Sequence, residues 1–74
     1  MSDPYENLAN SIVLLAVKDY RDALKKLKKW QRNEAAQIMK AEVERFFRSA
    51  WYRELISVDG EFLISKLQAE VEEQ

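Results

Sequence analysis

Arg45, Arg48 and Tyr52 recur at steps of three and four, with Arg53 directly after Tyr52, a spacing that a helix turns into one face. Arginine forks beside an aromatic ring grip phosphate and stack a base, or anchor a protein interface. The stretch Val43 to Arg53 concentrates this chemistry, holding four of the eight aromatic residues and three arginines in eleven positions. A weaker candidate is Lys25, Lys28, Lys29 and Arg32, a basic patch that would serve the same anions. Both groups have a competing structural use. Phe46, Phe47 and Trp51 read as a core stripe whose margin is covered by the stems of Arg45, Arg48 and Arg53. The lysines suit the negative end of a helix dipole.

Other chemistry is scarce. The chain contains no histidine and no cysteine, which removes Ser-His and Cys-His nucleophiles, zinc sites of ordinary type and imidazole acid–base catalysis. Glu42 and Glu44 point to different sides of a helix and cannot share one ion. Val58-Asp59-Gly60-Glu61 lacks most of the alternating oxygen ligands of a calcium loop. Glu44 with Arg48, Lys18 with Asp22, and Asp22 with Lys26 read as helix-surface ion pairs. The expectation is a protein that is not an enzyme and takes no metal or cofactor.

The elements that must position these residues are helices. With one glycine and one proline in 74 residues there are few turn signals, which disfavours an all-β fold. Asp3-Pro4-Tyr5-Glu6 is a helix start with a capping box. The first helix is expected over 4–31, with Tyr5, Ala9, Ile12, Ala16, Tyr20, Ala23, Leu27 and Trp30 as its stripe, widened by Leu8, Val13, Leu15, Val17 and Leu24. Asn33 caps a second helix over 34–56, facing inward with Ala35, Met39, Val43, Phe46, Phe47, Ala50 and Trp51; Ser49 is a candidate break. After the turn around Gly60, a third helix over 58–72 turns Phe62, Leu63, Ile64, Leu67 and Val71 inward. An unbroken helix through Arg32 is the rival to a turn there. The fold class is therefore all-α: a single three-helix domain over 1–74, built on a long antiparallel hairpin and self-associating. Self-association rests on Ile12 to Val17, a segment apolar nearly all round, because Leu14 falls on the side of Asn7, Asn10, Lys18 and Arg21. The segment follows acidic residues and is too short to span a bilayer, so a soluble cytoplasmic protein without membrane contact is expected.

Charge is uneven. Lys18 to Arg32 holds seven basic and two acidic residues, a net of +5, and Ser57 to Gln74 one basic and five acidic, a net of −4. An acidic last helix beside the basic end of the first would neutralise both inside the molecule; the alternatives are neutralisation between copies, or a basic face for nucleic acid or an acidic partner.

Phe46-Phe47-Arg48-Ser49-Ala50-Trp51-Tyr52, Leu55 and Val58-Asp59-Gly60-Glu61-Phe62-Leu63-Ile64, with Tyr5 to Asn10 and Asp19-Tyr20-Arg21, resemble small uncharacterised helical proteins carried by phages and integrated mobile elements of Gram-positive bacteria. The resemblance implies a setting inside a bacterial cell and brings no catalytic residues with it. The function expected is that of an interaction module binding a bacterial or phage protein as a homo-oligomer. The alternative is a nucleotide or nucleic-acid binder, including a sponge for a nucleotide signal of antiphage defence.

Overall fold

The computed structural model describes residues 4–73, and the side chains of 11–73. The Asp3 cap, the Glu6 arm of the capping box and the inward placement of Tyr5 and Ala9 lie outside the described residues. Four helices follow one another: α1 (Pro4–Lys29), α2 (Glu34–Phe47), α3 (Ala50–Leu55) and α4 (Gly60–Glu72). No strand occurs among the described residues. The domain is all-α with α1 and α2 packed antiparallel, and the expected second helix is two. α1 spans about 39 Å at the standard rise, close to the 41 Å long axis of the molecule. The other helices are laid along it.

Each break has a local cause. α1 ends at Lys29, and Trp30 to Asn33 turn the chain rather than continuing the helix. The Asn33 side chain then accepts from the Ala36 amide at 3.0 Å and caps α2. At the far end the Ser49 hydroxyl donates to the Phe46 carbonyl at 2.7 Å and accepts from the Tyr52 amide at 3.1 Å. One side chain thus satisfies a carbonyl leaving α2 and an amide entering α3. Asp59 caps α4 by accepting from the Glu61 amide.

Gly60 is the first residue of α4 rather than part of a loop. Its φ is not positive, so its role is close approach: a Cβ there would overlap the Phe47 carbonyl oxygen and lie 2.9 Å from the carbonyl carbon. The missing side chain lets the start of α4 meet the end of α2.

Val13, Tyr20, Val43, Phe47, Tyr52, Ile64 and Leu67 form the core, drawn from all four helices. Ala23 and Ala36 are buried where α1 and α2 approach. The rings interlock edge to face, with Phe47 centroids 5.9 Å from Tyr20 and 5.5 Å from Tyr52. Several residues expected inside stand outside: Ile12 and Trp30 on α1 and its exit, Ala35 and Met39 on α2, Ala50 and Trp51 on α3, and Phe62 on α4. Tyr20, Ala23, Val43, Phe47, Ile64, Leu67 and Val71 are buried as expected, as is Val13 beside the main stripe of α1, whereas Leu15 stands in solvent and Ala36 is buried without having been expected inside.

Candidate functional site

The residues expected to form one Arg-aromatic face are divided by the fold. Ser49 ends α2, and the helical phase starts afresh at α3. That reset exchanges two neighbours: Tyr52 turns inward at 1 % exposure and Trp51 turns outward at 54 %. Tyr52 therefore cannot stack a base, and Trp51 is not core. Its ring instead stands edge-on to half-buried Phe46, 5.7 Å between centroids. The Tyr52 hydroxyl has no hydrogen-bond partner among the described residues. Burial, and then the charge of Asp59, push its pKa upward.

Arg48 is held within the molecule. Its guanidinium makes a two-pronged pair with Glu61 of α4 through Nε and, at 3.3 Å, Nη2. Its Nη1 lies 3.7 Å from Glu44, the helix-surface partner expected from the sequence. The hydrogen bond from Arg48 lowers the Glu61 pKa, and the same bond raises that of Arg48. Arg45 and Arg53, exposed like Arg48, form no ion pair among the described residues. A hollow of about 280 Å³ beside Arg48 and Arg53 is also lined by Asp59 and Glu61, so its charge is mixed.

Glu44 is the centre of a polar network of which only its pairing with Arg48 was expected from spacing. Its Oε2 accepts from the Tyr20 hydroxyl at 2.6 Å and from Lys40 Nζ at 2.7 Å. Gln68 of α4 in turn donates to the Tyr20 hydroxyl at 3.1 Å. Three helices are thereby joined through one fully buried phenol. Burial would raise the Glu44 pKa, but the hydrogen bonds from Lys40 and Tyr20 and the Lys40 and Arg48 charges reverse that, and the net direction is down. Burial and then the Glu44 hydrogen bond drive Tyr20 well above the ordinary phenol range. The sequence signal was present, in that Tyr20 sits mid-stripe with a hydroxyl that needs a partner.

The second candidate set is also split. Lys28 Nζ donates to the Val71 carbonyl at 2.9 Å and the Glu72 carbonyl at 3.3 Å, satisfying the last turn of α4. Arg21 pairs with Glu70 at 3.0 Å. The acidic helix thus lies beside the basic end of α1, and a good part of the charge asymmetry is met inside the molecule. Lys25, Lys29 and Arg32 are exposed, and Lys29, Trp30 and Arg32 border an open hollow of about 670 Å³ at the α1–α2 turn. Lys18, Asp22 and Lys26 form no ion pair among the described residues.

No group of three or more acidic, histidine or cysteine side chains among the described residues can hold a metal ion. No helix among them is long and apolar enough to cross a membrane. No family model, curated protein or solved structure matches this chain.

Proposed function

We propose that this chain is a non-enzymatic helical interaction module of a phage or mobile element, working in the bacterial cytoplasm, which self-associates and binds a bacterial or phage protein. One observation carries the reading: large apolar side chains outside the core stand in solvent on a chain of this size. Leu14 and Leu15 are 66 % and 60 % exposed, in the segment that is apolar all round, and Ile38, Trp51 and Phe62 are exposed to a similar degree. Tryptophan and arginine are the residue types that dominate interface energetics. Trp51, with exposed Arg45 and Arg53 on either side in sequence, is the partner-binding candidate; Arg48 supports it from within the fold.

Capture from a bacterial host with wild-type and Trp51→Ala protein tests the partner claim. Trp51→Ala is expected to keep wild-type helicity by circular dichroism and to lose the captured protein. Equal capture by both would remove this site. Phe47→Ala serves as the contrast, since truncating this buried ring costs roughly 3–5 kcal/mol and unfolds so small a domain.

A second reading, nucleotide or nucleic-acid binding, is favoured at one place only, where exposed Trp30 stands with Lys29 and Arg32 at the α1–α2 turn. It requires affinity that falls with salt and is lost in Arg32→Ala.

A further inference from the structure

The α1–α2 hairpin has two sides, and α4 covers one. Arg21 and Lys28 reach α4, whereas Asp19 and Lys26, each two positions earlier, lie across α1 from them, since residues two apart on a helix do not share a face. On that uncovered side, Asp22, Ala23 and Lys26 of α1 border a shallow hollow of about 220 Å³ with Ala36 and Met39 of α2. Along α1 that stripe reads Ile12, Leu15, Asp19, Asp22 and Lys26, at steps of three and four, with Trp30 just past the end of the helix. Its order is apolar, apolar, acidic, acidic, basic, aromatic.

We propose that this face is occupied by a second copy of the chain, related by a two-fold axis that sets α1 antiparallel to α1 and α2 antiparallel to α2. The proposal rests on the self-association reading above and names its surface. Charge order selects the direction. About a point between residues 22 and 23, antiparallel pairing brings Asp19 opposite Lys26 and Leu15 opposite Trp30, twice over by symmetry. Parallel pairing would set Asp19 against Asp19 and Lys26 against Lys26, which like-charge repulsion disfavours. Because Met39 lines the same hollow as Asp22 and Ala23, the axis passes beside it. Met39, 38 % exposed, then meets its own copy at the centre, an apolar contact between the two ion pairs. Asp22 falls near its own copy, a like-charge contact that the dimer tolerates at some cost.

Sedimentation equilibrium of the full chain, with helicity checked by circular dichroism, is the test. Wild type is expected to dimerise. Asp19→Lys and Lys26→Asp alone should each weaken the dimer by roughly tenfold or more. An equimolar mixture of the two should restore it, because each then supplies the charge the other lacks. Asp22→Asn should tighten the dimer, Met39→Glu should abolish it, and Phe62→Ser, on α4, should leave it unchanged. A wild-type dimer whose affinity is unmoved by the charge swaps, or a mixture that does not recover, overturns this surface and leaves self-association standing. A wild type that stays monomeric through millimolar concentration removes both.

Discussion

Tyr20 makes the chain answerable to pH at both extremes. Its phenol is held neutral by burial and by the Glu44 carboxylate, so its folded pKa lies above the unfolded value near 10. A group raised on folding contributes stability that is fully present below its unfolded value and is lost as pH rises toward the folded one. Stability should therefore decline above about pH 10, and urea titrations of Tyr20→Phe should show a shallower decline. At neutral pH that substitution should cost about 1–2 kcal/mol, since Gln68 loses an acceptor and Glu44 a donor. Glu44 and Glu61 are shifted the other way. Their contribution is present above the ordinary carboxylate range and is lost as pH falls through their lowered folded values. Tyr52 gives the opposite substitution result. Its hydroxyl is buried without a partner, so Tyr52→Phe should leave thermal stability unchanged or raise it by about 1 kcal/mol.

At the scale of the element, the junction of α2 with α4 is the tightest point of the fold. A glycine at a helix N-terminus is replaceable by alanine when space allows, with a gain in helix propensity of under about 1 kcal/mol. Here the added methyl meets backbone rather than a mobile side chain. Gly60→Ala should therefore destabilise by a net of about 1–3 kcal/mol, read as a lower urea midpoint, because α4 must slide off the end of α2. The Arg48–Glu61 pair bridges the same two helices but is exposed, where solvent screening leaves an ion pair little net weight. Steric fit at Gly60, not that ion pair, sets the seat of α4.

The whole molecule consists of one long helix and three shorter ones that cover part of it. A small core drawn from 74 residues, with no cysteine to form a disulfide, leaves little margin. Association of folded copies adds stability by mass action. The melting temperature should therefore rise with protein concentration, and Met39→Glu should flatten that dependence. A melting temperature independent of concentration over a hundredfold range would count against a dimer.

The amino-acid order by itself determined an all-α chain, the antiparallel pairing of its first two helices and breaks near Asn33, Ser49 and Gly60, although it ran the second helix through α3 and began the last at Val58 rather than Gly60. Asn33, Ser49 and Asp59 act through groups within a few positions in the chain, so local stereochemistry places them without help from the fold. The charge asymmetry was legible too, but where it would be neutralised was left to the fold. What only the tertiary structure decided was which face each helix turns inward. Trp51 and Tyr52 are adjacent and both aromatic, and one residue of helical phase separates core from surface. That phase is set by the Ser49 break and by what α1 and α4 offer opposite it. The partners of Arg48, Lys28 and Tyr20 were likewise beyond reach, since Glu61, Val71 and Gln68 lie 13 to 48 positions away along the chain. Distance along the chain is removed by folding, and with it the freedom of Arg48 and Lys28, two of the residues that looked available for binding.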